Sequence, residues 1–445
     1  MGNPAHILVA EGKSSGRRVS LLNEVGYNAE SVRADAGLSD LAGKVKPNLL
    51  LLEAGTDSFA VSRAITESPD ARQVPVLMLD VDGSPEALVE CFESGAGDAL
   101  ERDSDDAELL ARLKPLVRLS VMEAELMRRA ATAKQFGVDI DTSLAVDMSA
   151  EGYRLLVVGV EDDEFEAMCP LLPGTGITFV TEPDPYRAKT MIEDEKGESF
   201  DGAMLFVDAG EDRDKSLYFC HALRNDRRHF DLPLFVVSEP GAFKNPAEAY
   251  EEGVSVIAPS PPDCNFVGAH LRMLLRGREL RRSLGKRIAT ALGPKTADKL
   301  GDVYSAEFAE AHFARLLDDM AKRGTSSTAI LFFIPTIGEV AALYGDEAAA
   351  LLRRQIAAWL SGLVRVEDLV ARVGTDEFVA LLPETPRLDA DIVRKRVIGV
   401  VHQSEFRLTD NVPVGIEVYV QSGLAASSSG DTLASLVARA SEVLE

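Results

Sequence analysis

Positive charge is what this sequence lacks most. Lys and Arg total 47 against 72 Asp and Glu, a formal net charge of -25 over 445 residues, so most of the surface repels duplex nucleic acid and anionic membrane. No nucleic-acid partner is expected. A small anionic ligand stays compatible with this balance, because a few convergent arginines set their own local field. Cysteine is also scarce: Cys91, Cys169, Cys220 and Cys264 lie far apart, each near apolar neighbours, and form no metal-ligand spacing. Free buried thiols in a reducing compartment are expected. No run reaches the ~18 apolar residues that a spanning helix needs, and MGNPAHILVA passes straight into a strand pattern. Direct membrane insertion is therefore not expected, and a cytoplasmic site is.

With 46 % hydrophobic residues the chain can bury several cores, and its length suggests about three domains. The stretches AHILVA, KPNLLLLEAG, VPVLMLDVDG and AGDAL read as strands separated by helical stretches, the alternation of a parallel sheet covered on both faces. After residue 150 the order recurs in YRLLVVGVEDDE, GITFVTEPD, FDGAMLFVDAG, LPLFVVSEPG and GVSVIAPS, an internal duplication. Each unit ends in a long amphipathic pattern, ELLARLKPLVRLSVMEAELMRR and VGAHLRMLLRGRELRRSLGKRI, expected to pack on its own domain and run on as a connector or dimer seam.

From about Thr296 the pattern changes. Helical FAEAHFARLLDDMAKR is followed by the strand TAILFFIP, one long helix EVAALYGDEAAALLRRQIAAWLSGL, and two strands joined by the turn GTDE. The helix DADIVRKRVIGVV, the strand VGIEVYVQSGLAA and the helix LASLVARASEVL complete it. The expected fold is α/β: two tandem doubly wound domains (1–134 and 135–290, each with a C-terminal connector helix), then an α/β domain with a mixed sheet (291–445).

On these motifs the first two units resemble response-regulator receiver domains of flavodoxin-like topology, and the whole order resembles the receiver–receiver–GGDEF response regulators. The resemblance implies an acidic pair for Mg²⁺ at the end of strand 1, a phosphoacceptor Asp after strand 3, a Ser or Thr after strand 4 and a Lys after strand 5. The first unit keeps only Glu11 of the pair and carries Glu53, Asp80 and Arg102 at the other places, so ordinary phosphotransfer is not expected there. The second has Asp208 and Ser238 in place, but Gly159 and Val160 stand where the pair belongs, followed by Glu161, Asp162 and Asp163, and APSPP holds no lysine. Asp208 is the possible phosphoacceptor, with a turn or cap role as the plainer reading; dimerisation and docking are the expected use of both units.

For the third domain the resemblance implies synthesis of cyclic di-GMP from GTP, which needs carboxylates from two pieces of backbone to hold divalent ions. Asp376 and Glu377 remain in the GTDEF hairpin, but Phe333 and Pro335 fill the two acidic positions of the facing strand end, and Ala341 and Ala350 replace the guanine-reading Asn and Asp. Gly374 is kept while Thr375 replaces the second signature glycine, where a β-branched residue resists close approach and positive φ. No catalytic residue, metal or cofactor is expected, and Asp376 and Glu377 read as hairpin surface residues. The family's product-binding RxxD is present as Arg365 to Asp368, with Asp368 six positions before Gly374. Cyclic di-GMP is thus the implied ligand: Arg365 as a fork to guanine or phosphate, Asp368 as acceptor from the guanine edge, and Arg396 on the later helix. Arg394 is expected to point off that face and Arg372 to brace the hairpin by a local ion pair.

Catalytically degenerate members of the family imply a homodimeric effector at the cell pole that works with protease adaptors or cell-cycle regulatory proteins. A weak or conditional cyclase and a ligand-independent scaffold are the alternatives.

Overall fold

The structure is a computed structural model and describes residues 5–10, 16–55, 57–71, 73–143, 152–170, 172, 176–194, 199–208, 210, 212–226, 228–243, 245–408 and 415–444. The first domain runs β1 (His6–Ala10), α1 (Arg17–Glu24), β2 (Asn28–Val32), α2 (Leu38–Val45), β3 (Leu49–Glu53), α3 (Ser58–Glu67), β4 (Val76–Val81), α4 (Pro85–Glu93), β5 (Asp98–Glu101) and α5 (Asp106–Gln135). Its parallel sheet has the order β2-β1-β3-β4-β5. The run LLLLE makes β3 central because both faces need apolar cover: Leu50 and Leu52 enter one core, Leu49 and Leu51 the other. Strand β2, NAESV, is an edge strand that the hydrophobic pattern does not mark; it pairs with β1 from His6–Asn28 to Ala10–Val32.

The second domain repeats the plan: β6 (Tyr153–Val158), α6 (Asp162–Met168), β7 (Ile177–Glu182), α7 (Pro185–Glu193), β8 (Gly202–Val207), α8 (Asp212–Asn225), β9 (Leu234–Ser238), α9 (Ala247–Glu251), β10 (Val256–Pro259) and α10 (Cys264–Ala289). Read from the other edge its order is β7-β6-β8-β9-β10, so both domains share the doubly wound 2-1-3-4-5 order.

The two domains face each other through their last helices. Ala269 and Met273 of α10 enter a core of the first domain, and the Arg276 guanidinium lies 5.3 Å from the Phe92 ring centroid. Asp98 and Arg112 form a buried ion pair at this seam. Burial, helped by the Arg112 charge, pushes the nearby His270 down to about 4. Farther along, Leu119, Met122 and Leu126 of α5 pack on Leu284 and Ile288 of α10. The connector helices therefore form a seam within one chain.

The third domain comprises α11 (Ala306–Arg323), β11 (Thr328–Phe333), α12 (Pro335–Tyr344), α13 (Asp346–Leu363), β12 (Leu369–Arg372), β13 (Glu377–Leu382), α14 (Arg387–His402), β14 (Glu405–Phe406), β15 (Ile416–Glu417), β16 (Gln421–Ala426) and α15 (Leu433–Ser441). Antiparallel strands run β12-β13-β11-β16, and a parallel bridge from Tyr304 to Ala371 makes the sheet mixed. Two sequence expectations are corrected. The long helix is two helices broken at Gly345, whose φ of 89° suits glycine. The strand expected over VGIEVYVQSGLAA is split, with β15 pairing to β14 and β16 to β11.

Candidate functional site

The segment Arg365–Asp368 is a closed turn between α13 and β12. The Asp368 N–H donates to the Arg365 carbonyl at 3.0 Å, and the Asp368 carboxylate accepts from the Arg365 N–H at 2.9 Å. The pair is thus joined through the backbone: the Arg365 side chain is exposed, whereas Asp368 is only 7 % exposed. Burial, with the Glu367 charge, pushes the Asp368 carboxyl up to about 7, against the pull of Arg365 and Arg129. Arg396 on α14 donates to the Leu363 carbonyl at 2.9 Å, which brings it beside the turn. Arg394, as expected, points elsewhere, to Asp391 and the Ser422 hydroxyl of β16.

The middle of the same turn faces the receiver-like domains. Val366 packs into the α5–α10 seam. Arg118 of α5 forks onto Glu367 at 2.9 and 3.3 Å, and Glu367 is nearly buried. Arg129, 3 % exposed, donates to the carbonyls of Glu367 at 3.0 Å and Asp368 at 2.7 Å. Its Nε binds Glu125 at 2.6 Å. Glu125 also meets Arg128 at 3.1 Å and His312 of α11 at 3.1 Å. Burial alone would raise the Glu125 carboxyl, but His312, Arg129 and Arg128 together hold it well below the usual carboxylate range. Sequence reading missed Arg118, Arg129, Glu125 and His312, since no local spacing marks a contact made between domains.

The hairpin face is built differently from a metal clamp. Phe333 ends β11 directly across from Glu377, and Pro335 opens α12. Asp376 accepts from the Arg353 Nε of α13 at 2.9 Å, with both side chains less than one-fifth exposed. Asp376 is therefore a partly buried, charge-paired residue, which corrects its reading as a hairpin surface group. Glu377 is half-buried. Gly374 and Thr375 both lie outside the left-handed region, so this turn admits the β-branched residue without the positive-φ strain that the sequence suggested. Arg372 reaches the Thr375 carbonyl at 3.0 Å and, far off in sequence, Asp298 at 3.4 Å, so its brace is not purely local. Ala341 and Ala350 offer only methyl groups on α12 and α13. Among the described residues, no group of three or more His, Cys, Asp or Glu side chains is placed to hold a metal.

In the first receiver-like domain, Asp80 is held at φ 56° and pairs with Arg18 of α1 at 2.6 Å. A protein cation thus sits at the strand-4 position. Glu11 lies outside the described residues. In the second domain, Glu161 caps α6 and Asp162 accepts from the Thr181 hydroxyl, so these acids serve local structure. Gly159 has φ 93°, and a Cβ there would lie 2.5 Å from the Phe206 carbonyl oxygen. That contact reserves the position for glycine and keeps a carboxylate out of it. Asp208 is exposed and accepts from the Gly210 N–H at 3.3 Å, the turn role that sequence reading weighed for it.

Residues 295–445 match the family described as "Diguanylate cyclase, GGDEF domain". The response regulator PleD of Caulobacter vibrioides is 26 % identical over 406 residues, covering 90 % of this chain and 87 % of that protein. The transcriptional regulator RpaA of Synechocystis is 30 % identical over 100 residues, 22 % of this chain and 42 % of that one. Among solved structures, the GGDEF domain of PA1120 (TpbB or YfiN) from Pseudomonas aeruginosa is 27 % identical with a TM-score of 0.30, covering 32 % of this chain and 83 % of that chain. No helix among the described residues is long and apolar enough to cross a membrane.

Proposed function

We propose, from the premise that the chain is a GGDEF-domain protein related to the PleD receiver–receiver–GGDEF response regulators, that it is a cyclic di-GMP-binding effector. The observation that carries this reading is the closed Arg365–Asp368 turn with Arg396 beside it. An exposed guanidinium fork next to a buried acceptor suits the phosphodiester and guanine edges of that ligand. Synthesis is disfavoured by the neighbouring chemistry: Arg353 neutralises Asp376, and the Phe333 ring offers no oxygen ligand to a hard cation.

Val366 and Glu367 rest on the receiver-like domains while Arg365 faces solvent. Ligand binding at the turn therefore acts on the segment whose Val366, Glu367 and Asp368 dock the domains, and its output is a change in docking rather than a chemical product. We propose further that this output serves regulated proteolysis with protease adaptors or cell-cycle regulators, at the cell pole and in a homodimer.

The cyclase family match favours a second reading, a conditional diguanylate cyclase, in which Arg353 releases Asp376. Incubation with GTP and Mg²⁺ or Mn²⁺ separates the two. The effector forms no cyclic dinucleotide yet retains radiolabelled cyclic di-GMP on a filter; product that disappears in Asp376→Ala establishes the cyclase.

A further inference from the structure

Two of the four cysteines meet in the second receiver-like domain. Cys169 closes the C-terminal end of α6 and is fully buried. Cys264 is the first residue of α10 and is only partly buried. Both join the core layer built by Phe165, Leu172, Val267 and Leu271. The Cys264 Sγ donates to the carbonyl of Met168, the residue before Cys169, at 3.4 Å, which brings the two thiols to neighbouring places in that layer. Cys91 and Cys220 belong to other core layers and are buried there.

We propose that Cys169 and Cys264 form an oxidisable dithiol, a modification site for a peroxide. Cys264 is the less buried residue of the two and so the first that a small oxidant meets. Cys169, fully buried and next in the chain to the carbonyl that holds the Cys264 thiol, takes the role of resolving partner; burial and then Cys264 push its thiol up to about 12, so it is the slower sulfur and reacts second. In the first step the Cys264 sulfur attacks a peroxide oxygen: the O–O bond breaks, an S–O bond forms, and the thiol and hydrogen peroxide become a sulfenic acid and water. In the second, the Cys169 sulfur attacks the sulfenic sulfur, the S–O bond breaks, and the Cys169 proton leaves with the hydroxyl as water. The sum is two thiols and one hydrogen peroxide giving one disulfide and two waters.

The bond would fasten the end of α6 to the start of α10, whose far end packs through Leu284 and Ile288 against Val366 of the ligand turn. A reducing compartment makes such a bond transient, the usual behaviour of redox-sensing pairs. The pairing itself does not depend on cyclic di-GMP binding.

The test treats the full chain with graded hydrogen peroxide, blocks free thiols with iodoacetamide under denaturing conditions, and analyses the unreduced digest by mass spectrometry. The expected result is one linked peptide pair joining Cys169 to Cys264, lighter by two hydrogens, lost with dithiothreitol and unchanged in C91S and C220S. In C169S the Cys264 sulfenic acid should persist and be trapped by dimedone. Unreacted Cys169 and Cys264 at doses that oxidise surface methionines would overturn the proposal, as would Cys264 sulfinic acid beside a free Cys169, or linkage to any other cysteine. The wild-type chain carries the main readout, so it stands even if a variant fails to fold.

Discussion

The Arg129 guanidinium donates to the Asp368 carbonyl at 2.7 Å across a sequence gap of 239 residues. A helix of the first domain thereby holds the backbone of the proposed ligand turn in the third. The same guanidinium grips Glu125, so the clamp that joins the domains also shapes the turn.

Arg129→Ala should lower the free energy of unfolding by about 3–5 kcal/mol, because it strips a partner from the buried Glu125 and leaves two carbonyls without their donor. Arg129→Lys should recover only part of this, since an ammonium cannot fork. Urea denaturation measures both; wild-type stability in the alanine variant would show that the clamp carries no load.

Asp368 is raised toward neutrality by burial and by the Glu367 charge, so the folded chain binds its proton more tightly than the unfolded chain does. This carboxyl favours folding at low pH, and the contribution is lost as pH rises from its unfolded value toward about 7. Ligand recognition has the opposite sign, because accepting from guanine N1–H and N2–H₂ requires the ionised form. Affinity for cyclic di-GMP should therefore fall about tenfold per unit below pH ~7 and level off above it. Titrations at several pH values measure the profile, and Asp368→Asn should bind weakly with the acid limb gone.

Arg118 and Glu367 form the second docking contact. A double-mutant cycle with R118Q and E367Q should give a coupling energy of about 1–3 kcal/mol, larger than that of an exposed pair because Glu367 is nearly buried. Additive stability effects would mean that the pair does not couple the domains.

Arg353→Ala frees Asp376 from its ion pair. The effector reading predicts that GTP turnover remains undetectable, since Phe333, across from Glu377 at the end of β11, offers no oxygen ligand to a divalent ion. Cyclic dinucleotide formation by R353A would instead identify Arg353 as a latch on a working cyclase.

The central strands were legible because LLLLE and VLMLDV are continuous apolar runs bounded by turns, which only a sheet covered on both faces can bury. The polar edge strand NAESV was not, since its exposed residues carry no apolar alternation. In the candidate site, Arg365 and Asp368 were legible through the family resemblance, which fixes the distance of RVED from the hairpin. What holds that turn was invisible: Arg118 meets Glu367 across 249 residues, and Arg353 stands in LLRRQ with nothing local to mark it for Asp376. Pairings of this kind are set by how the domains pack, which local periodicity does not encode.

Calorimetry with cyclic di-GMP on the full wild-type chain and on Arg365→Ala tests the central claim most directly. The account predicts micromolar or tighter binding to wild type and a loss of at least tenfold in the variant, which keeps the Arg365 N–H that closes the turn. Equal affinity in both chains, or no binding to wild type, would contradict it.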